Sequence, residues 1–176
     1  MAVMTSLRSM KNWTRRILVL NILKVRINKM DLEFREVHES DFSSCAKGLM
    51  AAFEGAPWNE NWTYDQAYQR IGDIMSARVS KGYVACDGEK VIAMALGRMV
   101  YYLDWSQLYI DEFSVHPDYQ GKKIGSELLD YVRKALKKDD VQYITLDTQT
   151  GFPAVNFYEK NGFEKLETVM MMSTKI

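Results

Sequence analysis

The sequence is poor in residues that staple, chelate or break a chain. Only Cys45 and Cys86 occur among 176 residues. They have no C-x-x-C spacing, which leaves no disulfide framework to build and nothing that demands an oxidising compartment. With too few histidines near either cysteine for a zinc-type ligand set, no metal is expected. Both cysteines lie in stretches that read as helix and strand, where a thiol is a small buried hydrophobe. Long apolar runs are missing too. The longest near the start, Ile17 to Leu23, is seven residues broken by Asn21, whereas a spanning helix needs about 20 apolar residues. No small-residue cleavage site follows it. There are no repeats and no low-complexity segments. Net charge is also lacking, +0 at neutral pH.

The charge that is present is unevenly spread. Residues 1–30 carry Arg8, Lys11, Arg15, Arg16, Lys24, Arg26 and Lys29 and no acid, so sixteen cations face 23 acids in the remainder. An acidic body disfavours nucleic acid and favours a cationic ligand. Residues 1–30 read as a basic extension outside the functional body, with a membrane-surface or targeting helix as the alternative. Residues 31–176 read as one domain with 47% hydrophobic content overall. No stable membrane association is expected, and the location is expected to be cytoplasmic.

From Leu32 the pattern is orderly. "LEFREV" alternates like a half-buried strand, and "ESDFSSCAKGLMAAF" has helical spacing after a Ser40 or Asp41 cap. "EGAPWNENW" breaks the pattern, and Asn61 or Thr63 can cap a second helix to about Ser80. Two apolar runs meeting at Asp87-Gly88 read as a hairpin. "SQLYIDEFSV" is a further strand, "GSELLDYVRKALKK" a helix with Leu128, Leu129, Val132 and Leu136 on one face, and "VQYITLDT" another strand. "PAVNFYEKNGF" is a short helix and "EKLETVMMMSTKI" a closing strand. This order fits an α/β fold: a mixed, mostly antiparallel central sheet of about six to seven strands with helices on both faces. The apolar "VMMM" suits either a homodimer edge or core.

"VHPDYQGKKIGSELL" carries the chemistry. The chain leaves a buried strand at Val115, turns at Pro117 and enters a helix near Gly125. The open amides and positive dipole end of such a helix attract phosphate. Gly121 and Gly125 permit close backbone approach or positive φ, and Lys122 and Lys123 add cations that either steer an anion or are simply solvated. The Walker and dinucleotide glycine patterns are both absent, so another phosphate ligand is required.

These residues resemble the GNAT superfamily of acyl-CoA-dependent N-acyltransferases. Their signature Q/R-x-x-G-x-G/A after V-x-P is met by Val115, Pro117, Gln120 and Gly125, with Lys123 in place of the first glycine. The hairpin, "IDEFSV" and "PAVNFYEKNGF" follow in family order, over about Leu32 to Lys175. The resemblance implies a sheet splayed between its fourth and fifth strands with acetyl-CoA in the cleft, held by Phe113, Ser114, Val115, Gln120, Gly121, Lys122, Lys123, Ile124, Gly125, Ser126 and Asn156. A CoA-contacting asparagine common in the family is replaced by Phe152.

An ammonium must lose a proton before it can attack a thioester, and a nearby carboxylate can take it. Asp111 and Glu112 are the candidates. As strand neighbours they point to opposite faces unless a bulge turns both inward. Resemblance to diamine acetyltransferases favours Asp111 as base and Glu112 as a second acidic contact. A main-chain amide in Phe113 to Val115 would serve the oxyanion. The resemblance makes Tyr158 the general acid. Trp58, Trp62 and Glu60 are candidates for the acceptor site, Glu54 and Asp104 for attracting a cation, and the two tryptophans read equally as caps on the core. The resulting expectation is transfer of acetyl directly to a primary amine of a small polar or cationic molecule. The alternatives are a protein lysine or N-terminal acetyltransferase and a non-catalytic acyl-CoA-binding regulator.

Overall fold

The computed structural model describes Met30 and residues 32–176; the rest of the basic extension lies outside the described residues. Five strands make one sheet in the order β1 (Leu32–Glu36), β2 (Ser80–Asp87), β3 (Lys90–Tyr101), β4 (Ser106–Val115) and β5 (Tyr143–Leu146). The β2–β3 and β3–β4 pairs are antiparallel and β4–β5 is parallel. Helix α1 (Phe42–Glu54) and helix α2 (Tyr64–Met75) separate β1 from β2; helix α3 (Ile124–Lys138) makes the crossover from β4 to β5; and helix α4 (Pro153–Lys160) follows. Among the described residues, no helix is long and apolar enough to cross a membrane.

Local chemistry explains these elements. Thr63 caps α2 by accepting from the Gln66 amide, and the Gln66 side-chain oxygen accepts from the Thr63 amide at 3.0 Å, a reciprocal capping box. The hairpin turn places Gly88 at φ 60 between paired Asp87 and Lys90. That left-handed conformation costs glycine nothing. Period-two alternation splits the sheet. Val84, Cys86, Met94 and Leu96 pack with Cys45, Leu49, Ile71 and Ile74 of α1 and α2. On the other face the Tyr83 ring meets Tyr131 of α3 at 6.0 Å, and Leu128, Leu129, Val132 and Leu136 are buried. Both cysteines are buried in the core, and burial pushes the Cys45 thiol up to about 12.

Two expectations are corrected. The second helix ends at Met75 rather than near Ser80, because residues from Ser80 are drawn into β2. The closing strand is absent. Residues 164–176 form no strand, and Val169 to Met172 are exposed, so among the described residues the sheet has five strands rather than six or seven. The alternation of apolar residues breaks down in Val169-Met170-Met171-Met172, and a strand with no buried face gains little from pairing.

Candidate active site

The cleft begins where β4 outruns β5. Pairing with β5 covers only Gln107 to Ile110 of β4, so from Asp111 to Val115 the strand has a partner on its β3 side alone. Alternate amides and carbonyls of this segment therefore face the gap. The gap is a cleft of about 990 Å³ between the ends of β4 and β5, α1, α3 and α4.

The β4 carboxylates enter this gap through a bulge. Leu96 pairs with Glu112 and Gly97 with Ile110, leaving Asp111 as the extra residue. Asp111 and Glu112 consequently both line the cleft. Gly97 makes the bulge possible, since a Cβ there would lie 2.0 Å from the Tyr109 carbonyl oxygen. The two acids then differ sharply. Asp111 is engaged by the Arg98 guanidinium, which also sits over the Tyr109 ring at 4.5 Å. Glu112 has a side chain only 11% exposed and lies 3.5 Å from Arg70 Nε. Burial pushes its carboxyl up to about 7, with Arg70 opposing and Glu60 and Asp111 adding to the rise.

Tyr158 reaches the same cleft from α4. Its ring packs against Phe113, Phe157 and Phe163 at 6.0, 5.2 and 5.5 Å. Burial first, and the Glu112 charge second, push its hydroxyl well above the usual tyrosine range, so it keeps its proton.

The opposite end of the cleft is made of backbone. Pro117–Tyr119 form a 3-10 turn, Gly121 has φ 72, and Lys123, the N-cap of α3, has φ 67. Lysine thus occupies a left-handed position that glycine takes without strain. The first helical bond of α3 runs from the Glu127 amide to the Lys123 carbonyl at 3.0 Å, so the amides of Ile124, Gly125 and Ser126 open toward the cleft. Gly125 serves packing rather than conformation: a Cβ there would stand 3.1 Å from the Phe157 ring and 3.2 Å from Val115. The Gln120 side chain donates to the Val115 carbonyl at 3.0 Å, tying the loop to the strand.

Of the residues singled out in the sequence, the cleft gathers Asp111 to Val115, Gln120, Gly121, Lys123 to Ser126, Tyr158 and Trp58. Glu54, Glu60, Trp62, Asp104, Lys122 and Asn156 do not line it. Lys122 stands over the Tyr119 ring at 5.0 Å, and Asn156 is exposed on α4. Trp62 packs against the α1–α2 core cluster and donates through Nε1 to Glu60 at 2.5 Å. Trp58 meets Phe53 at 5.3 Å and Phe152 at 4.7 Å, so the phenylalanine at the family's asparagine position supports a wall. Arg70 and Arg98 were not singled out. Neither has a local motif, and only the fold brings them to the bulge.

Several known proteins are similar. Residues 36–163 match the acetyltransferase (GNAT) family. An uncharacterized ycf52-like N-acetyltransferase of Prochlorococcus marinus is 26% identical over 102 residues, covering 58% of this chain and 43% of that protein. The matched stretch thus spans less than half of that relative. A possible acetyltransferase from Clostridium difficile 630 superposes with a TM-score of 0.70 at 19% identity, over 82% of this chain and 98% of the other. An aminoglycoside acetyltransferase from an uncultured soil metagenomic sample, solved with sisomicin, gives 0.64 at 14% identity, over 82% and 96%. These structures share the backbone arrangement. With the family match running from β1 to the end of α4, the chain belongs to the GNAT acetyltransferase family.

Proposed function

We propose that residues 31–176 form an N-acetyltransferase domain that moves acetyl from acetyl-CoA directly to a primary amine of a small polar or cationic molecule, with Glu112 as general base and Tyr158 as general acid. One observation carries the reading: a half-buried carboxylate and a half-buried phenol share a cleft with the open amide end of a 15-residue helix. The residues present suit the co-substrate. The amides of Ile124 to Ser126 and the dipole of α3 would hold its pyrophosphate, and the free edge of β4 would hold its extended arm. When bound, acetyl-CoA supplies an activated acyl thioester.

The side chains then divide the proton work. Glu112 accepts the proton that the attacking nitrogen must lose as the C–N bond forms. An amide within Phe113 to Val115 donates to the carbonyl oxygen as it gains charge. Tyr158 gives its proton to the sulfur as the C–S bond breaks. The two transfers reinforce each other, because the Glu112 charge is one of the causes holding the Tyr158 proton in place. Once Glu112 has taken up a proton, Tyr158 releases its own more readily. No covalent enzyme intermediate is needed, and both cysteines are buried away from the cleft.

The geometry favours Glu112 over Asp111, the reverse of the expectation drawn from diamine acetyltransferases. Asp111 gives an oxygen to a direct hydrogen bond from Arg98, whereas the Glu112 carboxyl, pushed up to about 7 mainly by burial, is poised near neutrality and well matched to the task. The sisomicin complex of a protein of similar fold supports a small, amine-rich acceptor. Trp58 and Glu60 remain candidates for its recognition, and a cytoplasmic location suits the use of acetyl-CoA. A thiol-release assay with acetyl-CoA and a panel of diamines, aminoglycosides and lysine peptides tests the reading. Release with small amines supports it, release with peptides alone redirects it to protein acetylation, and no release at any pH contradicts it.

A further inference from the structure

We propose that Arg70 is a positioning residue for proton transfer: from α2 its guanidinium grips the β4 bulge and keeps the Glu112 carboxylate charged and able to accept a proton. The inference rests on the reading of Glu112 as base. Arg70 touches the bulge twice. Nη2 donates to the Asp111 carbonyl at 3.2 Å, and Nε lies 3.5 Å from Glu112 Oε2. The first contact binds a backbone group of the very residue that falls out of the ladder. The second neutralises a carboxylate that has little access to water. A planar guanidinium with several donors in a fixed fork can serve a carbonyl and a carboxylate at once, which a lysine ammonium does less well.

The charges around Glu112 show why one cation matters. Arg70 faces it from α2, Glu60 from the loop before α2, Asp111 from its own strand, and Tyr158 from α4. Among these groups Arg70 alone favours the ionised form; burial, Glu60 and Asp111 all oppose it. The other nearby guanidinium, Arg98, is spent on Asp111. The Arg70 side chain is 42% exposed while that of Glu112 is 11% exposed. The cation therefore stays hydrated while lending its charge to a group that is not. Without it, a smaller fraction of Glu112 would carry the charge that accepts a proton at neutral pH.

The test uses the full chain with glutamate labelled at its carboxyl carbon with ¹³C. The Glu112 signal is the one lost in Glu112→Gln. In the unaltered protein its titration midpoint should fall near 7. Arg70→Met should raise that midpoint by about one unit or more, a tenfold loss of the charged form at a fixed acidic pH. Arg70→Lys should give a smaller rise, because the charge stays and the fork is lost. In parallel, kcat/KM against pH for the best amine of the panel should show the acid limb of Arg70→Met moving by the same amount, with the rate recovering at high pH. An unmoved midpoint, or a loss uniform across pH, overturns the inference. If Arg70→Met does not fold, the Arg70→Lys midpoint decides alone. The parent reading fails separately: Glu112→Gln would then turn over as fast as the unaltered protein, whatever Arg70 does to the midpoint, and the inference falls with it.

Discussion

At the α3 end of the cleft backbone groups are exposed, whereas at the β4 bulge, which Arg70 reaches from α2, charged side chains from several elements meet. The α3 end is local. Its turn, its left-handed residues and its open amides all fall between Pro117 and Ser126. The bulge end is assembled from far apart: Arg70 bonds to a residue 41 positions away, and Arg98 to one 13 positions away. A site made of backbone can hold a shared cofactor without depending on many side-chain identities, while a site made of paired charges can be tuned to a particular acceptor and pH.

The sharpest way to separate the two ends is Glu112→Gln. It should cut turnover on the order of 1,000-fold while leaving acetyl-CoA affinity within about twofold of its original value by calorimetry, since a base does not hold pyrophosphate. If affinity falls with turnover, the ends are not independent. Tyr158→Phe should lower kcat on the order of 100-fold with KM for the amine nearly unchanged, read by steady-state kinetics.

The same Glu112→Gln change should stabilise the fold. The folded carboxyl binds its proton more tightly than in the unfolded chain, moving from an ordinary 4.5 to about 7. The contribution of this group to stability is therefore fully present below about pH 4.5 and is lost as pH rises through 7. Urea unfolding at pH 8 should find the variant more stable by roughly 2–3 kcal/mol, with the gain vanishing at pH 4.

At the backbone end, Gly125→Val drives a side chain into Phe157 and Val115 and should cost about 1–3 kcal/mol of stability. Because it displaces the first turn of α3, acetyl-CoA should also bind about tenfold more weakly, on the 1.4 kcal/mol per decade scale. The smallest effect concerns Lys123. Relative to Lys123→Ala, Lys123→Gly should be more stable by about 1 kcal/mol, because only glycine relieves a φ of 67. Thermal unfolding of the pair reads that difference.

This contrast also governs what the sequence discloses. The strand, hairpin and helix patterns are local, so β2, β3 and the apolar face of α3 can be read directly, and the α2 cap can be narrowed to Asn61 or Thr63. The turn proposed to hold pyrophosphate is equally local, and its glycines and lysines mark it. The bulge is different. Asp111 and Glu112 are legible as candidates, but whether both face the cleft depends on Gly97, which sits in another strand and marks the bulge only once the two strands are paired. The choice between the acids depends on burial and on which arginine reaches which carboxylate, and neither has a sequence period. Trp62 shows the same dependence. A tryptophan in an irregular loop reads equally as an acceptor contact and as a cap on the core, and only the fold places its ring against the α1–α2 core.

The measurement that bears most directly on the central claim is kcat/KM for thiol release from acetyl-CoA across pH 5 to 9, for the unaltered chain and for Glu112→Gln. The unaltered chain should show an acid limb with an apparent pKa near 7 that Glu112→Gln abolishes, with acetyl-CoA binding intact in both. The same limb persisting at full rate in Glu112→Gln would contradict the account.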